Sequence, residues 1–237
     1  MDSLALRFKE DKSLKTWGFV AFVDAEVQAL GTERIDRFCR RFEFVLSHAM
    51  TRNGAYSKLL NRTWRIFLYK APTTTTSTSL EPDANYSELR LAFRSLLNGD
   101  DVYPAPLEPS TITPAELLRK RPGFLTTTFL VINKTCVDSV LEQPYLDNMR
   151  ILALEADYPR PNRTYIEGYH GWVWVRFEQL VYRFYGARLN DVAMDEIWKA
   201  AQASKYGAFA ALDPEVAKIH TNSTSWTGQT QGSYGVD

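Results

Sequence analysis

The stretch TWGFVAFVD, residues 16–24, decides the fold of this chain. Its tryptophan, phenylalanine and valine content is typical of a strand buried in a sheet. A helix is predicted directly afterwards, from Glu33 to Met50, with Thr32 as its N-cap. The apolar side chains of this segment recur at spacings of three, four and seven: Ile35, Phe38, Phe42, Val45, Leu46 and Ala49. A buried strand followed by an amphipathic helix predicts a fold in which helices cover a sheet.

The same order returns later in the chain. TTTFLVINK, residues 126–134, predicts a second buried strand, and TCVDSVLEQ predicts a helix after it. These two strand–helix units are candidates for related halves, although their sequence identity is too low to establish a repeat. Further strands are predicted at 64–70, 149–157 and 172–177, and further helices at 83–97, 113–122, 178–187 and 192–204. The sequence therefore predicts an α/β (α+β) class with a mixed sheet covered by helices.

Length and composition indicate a globular protein of one large domain or two small ones. The chain has 237 residues, of which 45% are hydrophobic and 24% charged, and its formal net charge is zero. We expect a single α/β domain over residues 1–220, followed by a flexible polar tail at 221–237 that is rich in glycine, serine and threonine. The N-terminal residues lack the apolar region of a signal peptide, and no run approaches the length of a membrane span. A cytoplasmic protein without membrane contact is expected.

Several enzyme classes are disfavoured by the motifs that the sequence lacks. It contains no Walker A loop, GxGxxG, GxSxG or HExxH motif. Its two cysteines, Cys39 and Cys136, are far apart and in apolar surroundings, so both are expected to be buried structural thiols. With three dispersed histidines, they predict neither a metal site nor a disulfide. No cofactor is expected, which leaves room for a transferase that uses preactivated substrates.

A basic tract runs from Arg34 to Lys70. It contains nine lysine or arginine residues against two acidic ones, a local excess of seven. Such clustering is typical of phosphate binding, and Tyr56, Trp64 and Tyr69 could stack on bases. The candidate tRNA contacts are Arg34, Arg37, Arg41, Arg62 and Arg65. The alternative is a solvated basic face whose charges pair with acids elsewhere.

A pair of carboxylates follows the apolar run LAL. Glu155 and Asp157 lie two residues apart at the end of a predicted strand, where partial burial would raise a carboxyl pKa and favour proton transfer. Tyr165 and Glu167 follow in the next loop, and these four side chains are the candidate catalytic residues. His170 is more simply explained as structural or exposed than as a ligand. In the alternative interpretation, the pair is a strand end that forms salt bridges with Arg150 or Arg176.

Three stretches carry a resemblance: TWGFVAFV near the start, TTTFLVINKTCVDSVL in the middle, and LALEADYPRPNRTYIEGYHGWVWVRFEQLVYRFY later. Together they resemble a family of uncharacterised fungal proteins, over most of residues 16–200. In size and general character that group is similar to the fungal arginine-containing cyclodipeptide synthases. The resemblance implies a cofactor-free transferase of secondary metabolism, which would form an arginine-containing cyclic dipeptide from aminoacyl-tRNA.

The resemblance also implies a use for the carboxylates, since Glu155, Asp157 and Glu167 would suit an arginine substrate. The synthases are associated with an Asp-Asp-x-x-Glu motif that this chain lacks. Its Asp100-Asp101 pair is followed by Val102, Tyr103 and Pro104. Two other functions therefore stay open. One is a non-catalytic binding protein on the same scaffold. The other is a small-molecule enzyme acting on a pathway intermediate, with its pocket lined by the aromatic residues of 158–174.

Overall fold

The structure, a computed structural model, describes residues 17–51, 64–72, 86–99, 123–142, 148–204 and 206–219. These residues build one sheet of seven strands. The strands are β1 (Trp17–Val23), β2 (Trp64–Lys70), β3 (Gly123–Phe124), β4 (Thr128–Ile132), β5 (Arg150–Glu155), β6 (Trp172–Arg176) and β7 (Ala208–Phe209). The order across the sheet is β2-β1-β4-β5-β6-β7. β3 pairs with the start of β1, on the same side of β1 where β4 pairs with its end.

One described strand, β5, runs against the others. β1 pairs in parallel with β2, β3 and β4, and β6 pairs in parallel with β7. β5 pairs antiparallel with both β4 and β6. The carboxyl end of β5 therefore lies at the edge of the sheet where the parallel strands begin. We call this the amino edge, and the opposite one the carboxyl edge.

Helices cover both faces of the sheet. They are α1 (Ala25–Gln28), α2 (Thr32–Thr51), α3 (Ser87–Asn98), α4 (Lys134–Leu141), α5 (Phe177–Gln179), α6 (Tyr185–Leu189), α7 (Met194–Gln202) and α8 (Pro214–Ile219). A π-helical segment, Leu180–Phe184, joins α5 to α6. Apolar side chains of α2, α4 and the 177–201 region form the first core on one face. Those of α3 form the second core on the other face.

The alternation of β1 explains why the sheet is covered on both sides. Trp17, Phe19 and Ala21 belong to the first core, whereas Val20 and Phe22 belong to the second. Successive side chains of a strand point to opposite faces of the sheet. All seven residues of β1 are buried, so both of its faces are covered. A strand that is apolar on both faces needs a helix layer on each.

The predicted fold class is confirmed: a mixed sheet covered by helices. β2 has the predicted bounds, and α2 matches its prediction to within one residue at each end. The two strand–helix units lie side by side, with β1 and β4 parallel, but the chain then diverges into a parallel β2 and an antiparallel β5. The short elements β3, β7, α1 and α8 were not predicted.

Some predictions fall outside the described residues. These are the helix at 113–122, the first residues of the helix at 83–97 and the polar tail at 221–237. Within the described ranges, no helix has both the length and the apolar character needed to cross a membrane. The same ranges contain no group of three or more His, Cys, Asp or Glu side chains arranged to hold a metal ion.

Candidate functional site

The direction in which the chain leaves the sheet reverses between β1 and β2. The crossover from β1 to β2 passes through α2 on the face of the first core, and the crossover from β2 towards β4 passes through α3 on the other face. The carboxyl ends of β1 and β2 are therefore neighbours from which the chain departs towards opposite faces, whereas α4, which follows β4, lies on the same face as α2. In open α/β sheets, ligands bind in the crevice that such a reversal opens.

A cavity of about 310 Å³ lies at this reversal point. Its floor is formed by the last residues of β1, β2 and β4, and its roof by α1 and α2. This carboxyl-edge cavity is lined by Val23, Val27, Gln28, Ile35, Phe38, Cys39, Leu68, Lys70 and Ile132. Its volume is in the range of small-molecule sites, and its lining has their usual character, mostly apolar with a few polar groups.

Asp24 is a buried carboxyl group next in sequence to Val23, which lines the cavity, although Asp24 is not itself a lining residue. It follows Val23 directly, and its backbone N–H donates to the carbonyl oxygen of Ile132 at 3.0 Å, so its backbone joins two of the lining strands. The residue is 6% exposed, and its Oδ1 has no hydrogen-bond partner among the described residues. Burial raises the pKa of the Asp24 carboxyl, an effect partly offset by the neighbouring N–H groups of Ala25 and Glu26. Groups with such perturbed pKa values cluster at functional sites.

The substitution Asp24→Asn should stabilise the protein at neutral pH. Because the folded-state pKa of Asp24 is raised above the ordinary value of 3.8, the folded state binds more protons than the unfolded state between these two pKa values. The free energy of unfolding should therefore fall as the pH rises through this window. Asparagine removes the buried charge, so we expect a gain on the order of 1 kcal/mol at pH 7.

Urea unfolding of both proteins between pH 3 and pH 8 measures this gain. The difference between variant and wild type should shrink towards acid pH. A variant less stable than wild type at pH 7 would mean that the ionised carboxylate is stabilising instead.

A second cluster of polar side chains lies at the amino edge, around Glu155. This residue ends β5 and is 1% exposed. Its Oε2 accepts a hydrogen bond from the Tyr169 hydroxyl at 2.9 Å. Its Oε1 lies 3.5 Å from Nε of Arg160 and 3.8 Å from the guanidinium of Arg163. Burial, together with the charge of Glu155, raises the pKa of Tyr169, so the phenol stays protonated and acts as a donor.

The cluster continues from Glu155 to α7. Arg163 donates to Oδ1 of the buried Asp195 at 2.8 Å, and Oδ2 of Asp195 accepts from the backbone N–H of Ile166 at 3.3 Å. We call these five residues, Glu155, Arg160, Arg163, Tyr169 and Asp195, the Glu155 network. Their contacts hold the 157–170 loop against the amino edge and the start of α7.

Two further arginines brace this edge. Arg90, on α3, donates to the carbonyl oxygens of Glu155 and Gly171 at 2.9 and 3.0 Å. Arg188, on α6, donates to the hydroxyls of Thr127 and Thr128, both at 2.9 Å. Burial lowers the pKa of both guanidinium groups. The side chains of Arg90 and Arg188 are therefore engaged in hydrogen bonds within the protein.

The four candidate catalytic residues are not brought into one open site. Glu155 is buried, whereas Asp157 lies in a turn beyond the end of β5, with 49% of its side chain exposed. Arg160 contacts both carboxylates. The Tyr165 hydroxyl accepts the backbone N–H of Arg160 at 3.0 Å, and Glu167 is exposed. Catalytic roles for these residues stay predictions.

The alternative interpretation of Glu155 named the wrong partners. Its recorded ion pairs are with Arg160 and Arg163, not with Arg150 or Arg176. Arg150 and Arg176 sit at the other end of the β5–β6 pair, where they face each other in the register. Arg150 begins β5 and Glu155 ends it, and because β6 runs antiparallel to β5, Arg176 at the end of β6 lies beside Arg150 rather than Glu155.

The basic tract does not form one open surface. Arg34 forms ion pairs with Asp138 and Glu142 at 2.7 and 2.8 Å, and Arg41 donates to the carbonyl oxygen of Leu141. Both side chains thus bind to α4 and its end, as the alternative of internal pairing expects for Arg34. Arg37 and Arg65 are exposed, and Arg62 lies outside the described residues. The tRNA contact therefore stays a prediction, with Arg37 and Arg65 its most accessible described members.

The structure also corrects the prediction for one cysteine. Cys136 is buried, as expected, and burial raises its pKa. Cys39 is half-buried instead and lines the carboxyl-edge cavity. The sequence analysis did not select Asp24 as a candidate residue. Asp24 nevertheless carries the same signal as Glu155, a carboxylate at the end of a buried strand.

No protein-family model, curated protein or solved structure matches this chain.

Proposed function

We propose that this chain is a small-molecule enzyme whose substrate occupies the carboxyl-edge cavity. The observation that carries the proposal is the position of the cavity, at the carboxyl ends of β1, β2 and β4, where the chain leaves β1 and β2 towards opposite faces of the sheet. The apolar lining suits a ligand with an apolar body. Gln28, Cys39 and Lys70 supply the few polar groups that fix a ligand's orientation.

Asp24 favours an enzyme over a passive binding protein. A buried carboxyl group with a raised pKa is protonated more readily than an ordinary one, which suits a general acid or base. Its burial costs stability, and proteins retain such groups where function requires them. A general acid or base that follows a lining strand directly, as Asp24 follows Val23, would serve proton transfer or group transfer without a cofactor. The reaction of a transferase of fungal secondary metabolism would be one such group transfer, and that function stays a prediction.

The proposal places the pocket at a different edge from the one that the aromatic loop suggested. Tyr158, Tyr165 and Tyr169 pack against one another in tilted or edge-to-face arrangements, with ring centroids 4.9 to 5.6 Å apart. Trp198 packs against Tyr169 at 6.1 Å. Because these rings themselves occupy the space beside Glu155, they are better suited to anchoring the 157–170 loop than to lining a ligand pocket.

Cys39 provides a direct test of ligand binding. The chain has two cysteines, and the second, Cys136, is fully buried. A ligand in the cavity should slow the alkylation of Cys39 by iodoacetamide, while Cys136 reacts only on unfolding. A panel of small apolar and amphiphilic molecules should contain members that slow Cys39 labelling and raise the melting temperature together. Slow labelling without a shift in melting temperature would argue against binding in the folded state.

Filling the cavity should abolish both effects. Leu68→Phe enlarges a half-buried lining residue, so we expect loss of ligand protection at Cys39 and at least a tenfold loss of affinity, because the added ring occupies ligand volume. Leu91→Phe is the matched control, since Leu91 is 58% exposed on α3. The proposal fails if no compound protects Cys39, or if both variants bind as wild type does.

A further inference from the structure

We infer that the ligand of the carboxyl-edge cavity is an amphiphilic monocarboxylate, with its apolar body inside the cavity and its carboxylate at Lys70. This inference rests on the proposed function and specifies the substrate class. Of the nine lining residues, Lys70 is the one with a charged side chain.

The distribution of polar groups sets the orientation of such a ligand. Lys70 is the last residue of β2, lines the cavity and is exposed to solvent, so the inference assigns its ammonium to the mouth of the cavity. Val27 and Phe38 are buried, and Ile132 is buried at the end of β4. A ligand that enters with its apolar end first desolvates carbon and leaves its charge at the solvent-facing rim, next to the opposite charge.

The other polar lining groups favour an anion less than Lys70 does. The Gln28 side chain donates to the carbonyl oxygen of Val23 at 2.8 Å, so its amide is engaged in holding α1 to the end of β1. Cys39 is a weak donor at most. Lys70 provides a compact positive charge with three rotatable donors, which suits a single carboxylate.

The test compares octanoate with octanol, which share an apolar chain and differ in the charged end. Wild-type protein should bind octanoate about fivefold more tightly, a difference of about 1 kcal/mol, which is the upper range for an exposed ion pair. The preference should shrink as salt rises from 50 mM to 500 mM, whereas octanol binding should not weaken. Cys39 protection from iodoacetamide and isothermal titration give the two affinities.

Two variants localise the charge effect. Lys70→Gln keeps most of the side-chain length and should remove the preference for octanoate while leaving octanol affinity within about twofold. Lys134→Gln is the control, because Lys134 also lies at the carboxyl edge but pairs with Asp138 and does not line the cavity. Ligand-free alkylation rates are measured for each variant first, so that ligand protection is compared with each variant's own baseline.

The outcomes separate this inference from the proposed function. Equal binding of octanoate and octanol, or a preference that survives Lys70→Gln, overturns the monocarboxylate assignment and leaves the cavity as a binding site. If Lys134→Gln also removes the preference for octanoate, that preference comes from the overall positive potential at the carboxyl edge and not from Lys70. The inference then fails as well. If Leu68→Phe leaves the binding of all compounds intact, the cavity itself is excluded.

Discussion

Replacing Gly18 by alanine is expected to remove a large part of the stability of the protein. Gly18 has a φ of +143° in β1, and it pairs with Arg65 in β2. A Cβ atom added there would fall on the carbonyl oxygen of Arg65, well inside van der Waals contact. Backbone strain of about 1–3 kcal/mol and a similar cost of overpacking add to about 4 kcal/mol or more. That is most of the stability of many domains of this size.

Two glycine controls make this experiment specific. Gly207 has a φ of +61°, and no heavy atom lies within 4 Å of the Cβ position, so Gly207→Ala should cost only the backbone strain, about 1 kcal/mol. Gly186 lies in α6 with open space around its Cβ position, so Gly186→Ala should stabilise by about 0.5–1 kcal/mol. Urea denaturation followed by circular dichroism measures all three. Equal effects at Gly18 and Gly207 would show that the contact with Arg65 is unimportant.

The second large effect is expected for Glu155→Gln. The substitution removes the charge that faces Arg160 and Arg163 and leaves both guanidinium groups beside a neutral side chain. Breaking a buried ion pair by removing one partner typically costs about 3–5 kcal/mol. We expect about 3 kcal/mol here, because both arginines remain partly exposed to water. The melting temperature and the free energy of unfolding should fall together.

Asp157→Asn is the matched control for this variant. Asp157 contacts the same Arg160 at 3.7 Å, but its carboxylate is half exposed, so its loss should cost less than about 0.5 kcal/mol. The additional variant Tyr169→Phe and the double variant with Glu155→Gln should show a coupling energy, since the hydroxyl and the carboxylate share a hydrogen bond. A Glu155→Gln protein of native stability that had lost activity would instead favour the catalytic role predicted from the sequence.

Strand positions were predictable because apolar and aromatic residues are concentrated in them. WRIFLYK gave the bounds of β2, and the all-buried character of β1 followed from its composition. Strand direction was not predictable in the same way. The residues of β5 are buried along almost their whole length, and such a run fits a parallel or an antiparallel position equally well. The reversal of β5 depends on the path of the chain before and after it.

The amino-edge cluster was predicted in part. The sequence placed Glu155 at the end of a buried strand and next to a loop rich in tyrosine and arginine, and the structure agrees with this placement. The partners Arg163 and Asp195 could not be assigned, because they depend on how the loop folds back onto α7. The carboxyl-edge cavity was beyond sequence analysis. The cavity exists because α1 and α2 pass over the ends of three strands without filling the space beneath them. No local sequence pattern indicates such a gap.

The interior position of β1, between β2 and β4, has a consequence during synthesis of the chain. Its neighbours in the sheet are β2, which begins at Trp64, and β4, which ends at Ile132. At synthesis rates of about 5–20 residues per second, the apolar segment WGFVAFV therefore waits roughly 5–20 s for its second partner to be made. A nascent chain with such a segment is a natural client for a chaperone that holds extended apolar peptides. Ribosome-bound chains halted before residue 128 should bind such a chaperone, and those halted well beyond residue 176 should release it.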